Sequence, residues 1–197
     1  MQFEVKGGTT GFVRSLWRLD ATHKSLARTS TFSPLRMNQS EFYSGRTTLT
    51  RLEFDGRSVT STKTHRPRDN SPPEKRTFTF PSTCDLHTAM LFVRSQRLMI
   101  GDTLSVVVFP ANAPYFATVR VAGREKIRVR SGEYHALKLD VRLQKINASL
   151  GLEPHKKVKR LTAWISDDSD RLLLRAEAEI FVGSVWAELQ DVSFGTN

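Results

Sequence analysis

The sequence predicts a mainly β, single-domain protein built as a curved antiparallel sheet or a partly closed barrel, with one α-helix covering it. Three observations predict this fold class. Apolar and polar side chains alternate in many short segments, which is the period of half-buried strands. Only one segment has helical periodicity, and the strand-helix-strand rhythm of a parallel sheet is missing. We expect about nine or ten strands.

The composition is that of a folded globular domain. The chain has 197 residues, of which 39% are hydrophobic and 25% charged, so collagen-like, low-complexity and disordered classes are excluded. We assign residues 1–197 to one β-rich domain. No apolar run reaches about 18 residues, so no transmembrane segment is expected. The start, Met1-Gln2-Phe3-Glu4-Val5-Lys6, lacks the pattern of a signal peptide.

Basic residues outnumber acidic residues and are concentrated before residue 161. The chain holds 30 Lys and Arg against 20 Asp and Glu, which gives a formal charge of +10. Residues 161–197 contain two arginines and seven carboxylates and carry −5, which leaves +15 for residues 1–160. Nucleic acid, anionic lipid and acidic glycan are therefore candidate partners. The scattered cations fit either a solvated sheet face or an anion-binding face.

One compact basic cluster stands out, His155-Lys156-Lys157-Val158-Lys159-Arg160. We place it in a loop or an edge strand, where Lys discourages pairing with other chains. No specific nucleic-acid binding is expected, because the one firm helix carries Arg94 and Arg97 and is otherwise mainly apolar or neutral.

Turn residues divide the first half of the chain into strands. Asp55-Gly56 separates residues 46–54 from residues 57–64 and predicts a hairpin, because both turn residues accept positive φ. Residues 65–74 have the composition of a loop, and a short strand at 76–80 stops at Pro81. Strands are also assigned in the first 40 residues, where 12–18 fit either a strand or a helical turn.

The helix is predicted over residues 85–97, with Ser82, Thr83 or Asp85 as its cap. Its apolar stripe indicates core packing rather than a ligand site. Gly101-Asp102 ends this segment.

The second half predicts a succession of antiparallel strands. Residues 103–109 form the first, and residues 115–121 pair with 126–129 across Ala122-Gly123-Arg124-Glu125. Ser131-Gly132 then turns the chain into residues 134–143. Residues 161–165 form a further strand, and residues 172–181 pair with 185–194.

Residue types that carry catalysis or bind metals do not form recognisable motifs. The histidines at positions 23, 65, 87, 135 and 155 include no pair at i, i+3 or i, i+4, and Cys84 is the single cysteine. Neither a Gly-Lys-Ser/Thr phosphate loop nor a Gly-x-Ser-x-Gly elbow occurs. We assign no catalytic residue, metal site or cofactor. Asp167-Asp168-Ser169-Asp170 is interpreted as a turn rather than an acid-base or Ca²⁺ site.

Five short fragments follow one another in a distinctive order. They are Asp85-Leu86 with Leu91 and Arg94, Leu98-x-x-Gly101-Asp102, Gly132-Glu133-Tyr134, Trp164-Ile165-Ser166-Asp167-Asp168-x-x-Arg171-Leu172, and Gly183-Ser184-Val185-x-x-Glu188-Leu189. Together they resemble the bacterial domain-of-unknown-function family numbered 3108, over residues 85–192 with weaker support upstream at Phe54-Asp55. The resemblance implies a β-rich domain of the periplasm or cell envelope without an established activity. Similar proteins begin with a signal peptide and an extra strand pair, so we expect a truncated start or a loss of export.

Five residues of these fragments are candidate ligand-binding residues: Asp85, Arg94, Trp164, Asp168 and Arg171. Each also has a structural interpretation, as a helix cap, a core side chain, a turn former or an ion-pair partner. The leading hypothesis is a noncatalytic envelope domain that binds or carries an amphiphilic or anionic lipid or glycan. One alternative is an assembly protein that docks a partner through sheet edges and a basic surface, without a pocket. Another is an enzyme on an anionic envelope polymer, with Asp85, Asp167 and Asp168 as its acids.

Overall fold

The computed structural model describes residues 1–9, 14, 18–66, 72–156, 158–180 and 183–193. These residues contain fourteen β-strands and the predicted helix, so the mainly β fold class is confirmed. The predicted strand or turn at residues 12–18 lies largely outside the described residues. The count of strands exceeds the expected nine or ten, because the sequence patterns merged or missed several short ones.

The first six strands form one antiparallel sheet in which each strand pairs with the next along the chain. Their bounds are Gln2–Gly8 (β1), Leu19–Ala27 (β2), Pro34–Tyr43 (β3), Arg46–Phe54 (β4), Ser58–Arg66 (β5) and Glu74–Thr79 (β6). The hairpin predicted at Asp55-Gly56 joins β4 to β5, with Phe54 opposite Val59. Gly56 has a φ of 93°, and the Asp55 carboxylate accepts the backbone N–H groups of Arg57 and Ser58 at 2.8 and 2.5 Å.

The remaining elements begin with a short strand that leads directly into the helix. Their bounds are Cys84–Asp85 (β7), Leu86–Ser95 (α1), Thr103–Phe109 (β8), Tyr115–Val129 (β9), Gly132–Ile146 (β10), Leu152–Pro154 (β11), Val158–Ser166 (β12), Leu173–Ile180 (β13) and Gly183–Glu188 (β14). Strand β7 pairs in parallel with β8. Strands β14, β13, β12, β10 and β9 are neighbours in that order, and β11 pairs with β10.

The predicted hairpin across Ala122-Gly123-Arg124-Glu125 is wrong, because β9 runs without interruption from Tyr115 to Val129. Gly123 is not among the glycines with positive φ, so it takes no turn conformation. Its neighbour in the sheet, β10, also has 15 residues, and a long partner strand overrides the local preference of a single glycine. The turn that reverses the chain is Ser131-Gly132, with Gly132 at a φ of 142°.

The chain divides into two compact units, and its single-domain character stays a prediction. The first unit contains Met1–Val93 and Val106–Tyr115, and the second contains Arg94–Ser105 and Phe116–Asn197. The core of the first unit is formed by Met37, Leu52, Phe54, Val59 and Phe109. The second unit has a buried cluster of Val129, Ala136 and Leu174.

Candidate anion-binding cleft

A cleft opens in the second unit where β10 changes its pairing partner. From Ala136 to Val141, β10 pairs with β12, and from Gln144 to Ile146 it pairs with β11. Strands β11 and β12 thus pair with different parts of β10, and the cleft lies where one pairing ends and the other begins. The resulting cavity has a volume of about 790 Å³. This size lies within the range of roughly 300–1,000 Å³ that is common for ligand sites.

Positive charge dominates the walls of this cleft. Arg120, Arg142, Lys159 and Arg160 line it, and Asp140 is the one carboxylate among the described residues that line it. Asp140 pairs with Arg160 at 3.4 Å. Within the described part of the chain, Arg120, Arg142 and Lys159 form none of the ion pairs observed. The cleft therefore carries a net excess of cations that attracts anions.

Apolar side chains form the remainder of the cleft wall. They are Val141, Leu143, Pro154, Val158 and Leu161. A ligand that carries both an anionic group and a hydrocarbon part matches both kinds of surface, because the cations hold the charge and apolar burial supplies binding free energy. The arrangement is chemically suited to an amphiphilic anion.

The basic cluster predicted from the sequence forms one side of this cleft. His155 and Lys156 lie in the connection before β12, whereas Lys159 and Arg160 belong to β12, and Lys157 lies outside the described residues. The loop placement is thus confirmed for the first part of the cluster. Lys159 and Arg160 precede Leu161, the first β12 residue that pairs with β10, so within the described residues this end of β12 pairs with β13 only and has the character of an edge. His155 Nδ1 accepts the Val158 backbone N–H at 2.9 Å and closes this connection.

Asp85 occupies the capping position, which the sequence left open among Ser82, Thr83 and Asp85. Its carboxylate accepts the Thr88 backbone N–H at 2.8 Å, and the Thr88 hydroxyl accepts the Asp85 backbone N–H at 2.9 Å. These reciprocal bonds form a capping box at the start of α1. The Ser25 hydroxyl of β2 also donates to the Asp85 carboxylate, which is fully buried.

Arg94, Asp168 and Arg171 come together around the turn that follows β12. Arg94 donates to the Asp170 carbonyl oxygen at 2.6 Å, and Arg171 pairs with Asp167 at 3.3 Å. The Ser166 hydroxyl donates to Asp168, which also accepts two backbone N–H groups of this turn, and these bonds lower the pKa of the Asp168 carboxyl. The contacts fit a turn former rather than a general acid.

Trp164, on β12, lies among charged side chains of other strands. Its indole N–H donates to Glu125, and the cations of Lys138 and Arg175 lie 5.6 and 5.7 Å from its ring centroid. None of the five predicted site residues lines the cleft. Their ligand-binding role stays a prediction. Asp85, Asp168 and Arg171 make the cap, turn and ion-pair contacts that the sequence also suggested, whereas Trp164 is only partly buried.

Arg120 and Arg142 are the cleft residues that sequence reasoning missed. They lie on β9 and β10, and the cluster at 155–160 reaches them only because β10 changes partners. Isolated arginines in alternating strands do not indicate that they lie close together in the fold. The basic cluster at residues 155–160 was the sequence feature that indicated one wall of the cleft.

Two histidines of the first unit form a ring contact near Asp85. His87 stacks on Phe3 with ring centroids 6.3 Å apart, and His23 meets His87 edge-on at 5.8 Å. Burial is the largest cause that lowers the pKa of each imidazole, and the charge of His87 lowers that of His23 further. The charge of Asp85 opposes both shifts, and Glu41 opposes that of His23.

We expect the first unit to lose stability as the pH falls below about 6.5, the ordinary histidine pKa. The unfolded chain then takes up protons that the folded imidazoles resist, at a cost of up to about 1.4 kcal/mol per pH unit for each histidine. The melting temperature of the double variant His23→Gln/His87→Phe should depend less on pH between about 8 and 5 than that of the natural protein. His135→Gln, which changes an exposed residue of β10, is the control. An unchanged slope in the double variant would contradict this expectation.

The thiol of Cys84 and the metal-binding residue types give no sign of a reactive centre. Burial is the largest cause that raises the pKa of the Cys84 thiol, which disfavours the nucleophilic thiolate. Within the described residues, no group of three or more His, Cys, Asp or Glu side chains is arranged to hold a metal ion. In that same part of the chain, no helix is long and apolar enough to cross a membrane.

The chain matches a known protein family over most of its length. The family model described as "Protein of unknown function (DUF3108)" matches residues 1–190 of the chain. The chain belongs to the DUF3108 family. This confirms the family that the five fragments suggested, and the DUF3108 match also covers the first unit, where the sequence resemblance was weak. No curated protein and no solved structure matches the chain.

Proposed function

We propose that this domain binds an amphiphilic anion, such as a lipid with an acidic head group, in the cleft of the second unit. The observation that carries the proposal is the convergence of Arg120, Arg142 and Lys159, without ion pairs among the described residues, beside an apolar wall. A noncatalytic role fits the cleft, because the one carboxylate among its described lining residues, Asp140, pairs with Arg160. The bacterial envelope, which the family resemblance suggests as the location, is rich in such amphiphiles.

Charge reversal on the cleft wall tests this function. The double variant Arg142→Glu/Lys159→Glu should bind dodecyl phosphate, below its micelle concentration, at least about tenfold more weakly by isothermal titration calorimetry, a loss of about 1.4 kcal/mol or more. Both side chains are exposed, so we expect little loss of stability. Arg46→Glu/Arg97→Glu makes the same change in net charge at exposed residues outside the cleft and should keep the natural affinity.

Two results would overturn the proposal. One is the absence of dodecyl phosphate binding to the natural protein at low salt, and the other is an equal loss of affinity in the two double variants. Native mass spectrometry of gently purified protein supplies a second measurement. We expect a discrete additional mass that organic extraction releases and identifies.

A role in assembly is the second candidate, and one observation favours it. Strand β14 ends the strand order of the second unit and exposes Val185 by 47% and Trp186 by 58%. An edge strand with exposed apolar side chains is a template for pairing with another chain. Protein that carries no ligand and self-associates in sedimentation experiments would favour this candidate.

A further inference from the structure

A polar depression adjoins the cleft along β12. It has a volume of about 300 Å³ and is lined chiefly by Lys138, Arg160, Thr162, Trp164, Glu177 and Glu179. Arg160 lines both the depression and the cleft, so the two sites share a wall. A single ligand that contacts Arg160 can therefore reach into both.

The register of β12 and β13 places most of the lining residues on one face. Arg160, Thr162 and Trp164 alternate along β12 and point to the same side, about 6.5 Å apart from one to the next. On β13, Glu179 pairs with Arg160 and Glu177 pairs with Thr162. Residues that face each other across a ladder share a side of the sheet. These side chains consequently surround one depression beside the cleft.

The groups around the depression offer both donors and acceptors. Glu177 and Glu179 accept hydrogen bonds, Lys138 and Arg160 donate them, and the Thr162 hydroxyl does both. Glu177 already pairs with Arg175 at 3.2 Å, whereas Glu179 takes part in none of the ion pairs observed among the described residues. A polyhydroxylated ring requires this mixture, because each of its hydroxyl groups donates and accepts.

Trp164 gives the depression a fixed apolar wall. Its indole N–H is bound to Glu125, and the cations of Lys138 and Arg175 lie 5.6 and 5.7 Å from its ring centroid. A side chain held by such contacts is already ordered before a ligand arrives, which lowers the entropy lost on binding. Polar groups beside an ordered aromatic surface suit the alternating C–H and O–H groups of a sugar.

We propose that the depression binds the sugar of an anionic glycolipid, whose charged group and hydrocarbon chain occupy the adjoining cleft. The proposal rests on the proposed function and deepens it by naming the ligand class. Arg160 contacts the ligand at the junction of sugar and chain. The depression would then make the protein prefer anionic amphiphiles that carry a sugar over those that do not, a preference that the cleft alone does not create.

Three octyl compounds separate the contributions of charge, chain and sugar. Methyl octyl phosphate has the charge and the chain, octyl glucoside has the sugar and the chain, and octyl glucosyl phosphate, in which a phosphodiester joins the sugar to the chain, has all three. We expect octyl glucosyl phosphate to bind at least about tenfold more tightly than methyl octyl phosphate in calorimetric titrations, and octyl glucoside to bind most weakly. Glu177→Gln/Glu179→Gln should reduce the ratio of the octyl glucosyl phosphate affinity to the methyl octyl phosphate affinity to about two or less.

The affinity ratio removes the general electrostatic effect of losing two carboxylates, because both ligands carry one negative charge. Glu53→Gln/Glu74→Gln, which changes two exposed residues of the first sheet, is the matched control and should keep the natural ratio. Equal affinity of the natural protein for methyl octyl phosphate and octyl glucosyl phosphate, or an unchanged ratio in Glu177→Gln/Glu179→Gln, would overturn the sugar site and leave the proposed function standing. Failure of all charged probes to bind would overturn both.

Discussion

Replacing Phe109 by alanine should destabilise the first unit by about 3–5 kcal/mol. Phe109 is fully buried and makes edge-on contacts with Phe54, Phe78 and Phe80 at centroid distances of 6.2, 5.4 and 6.1 Å. The variant loses these aromatic contacts together with the transfer free energy of the ring, and it leaves a cavity. Urea denaturation followed by circular dichroism measures the loss as a lower midpoint with an unchanged slope.

Two further variants show whether the cost comes from the aromatic cluster. Phe109→Leu retains most of the apolar volume and should cost clearly less than Phe109→Ala. Phe32→Ala removes an exposed ring from a turn and should change the stability by less than about 0.5 kcal/mol. A loss below about 1 kcal/mol for Phe109→Ala would contradict the placement of this ring at the centre of the core.

The sequence predicted the parts of the fold that depend on local chemistry. The hairpin at Asp55-Gly56 follows from a glycine with positive φ and an aspartate that binds the turn backbone. The start of α1 follows in the same way from Asp85 and its partner Thr88, three residues apart. In both cases the stabilising contacts lie within a few residues, so the sequence displays them directly.

The missed features depend on contacts between distant segments. Ala122-Gly123-Arg124-Glu125 has turn composition, but the pairing of β9 with β10 keeps it extended. The cleft needs Arg120, Arg142 and Lys159 on three different strands, and only the strand order brings them together. Single cations in alternating strands are normal on solvated faces, so no local pattern distinguished these three.

Removing the Asp85 carboxylate should lower the free energy of unfolding by about 3 kcal/mol or more. Its hydrogen bonds resemble those of the exposed Asp55, but Asp85 is buried. In Asp85→Ala the buried Thr88 N–H and the Ser25 hydroxyl lose their acceptor, and water cannot replace it at a residue that is 0% exposed. The helix also loses its cap. Asp85→Asn keeps one carbonyl oxygen for the Thr88 N–H and should cost less.

Asp55→Ala is the matched control, because that carboxylate also accepts three hydrogen bonds from nearby groups, at 2.8, 2.5 and 2.6 Å. Asp55 is exposed, so water takes over the released donors, and we expect a loss below about 1 kcal/mol in urea denaturation. Equal losses of stability in Asp85→Ala and Asp55→Ala would contradict the expectation that burial makes the Asp85 hydrogen bonds more costly to lose. If folded Asp85→Asn protein failed to bind dodecyl phosphate, Asp85 would belong to a ligand site rather than to the helix cap alone.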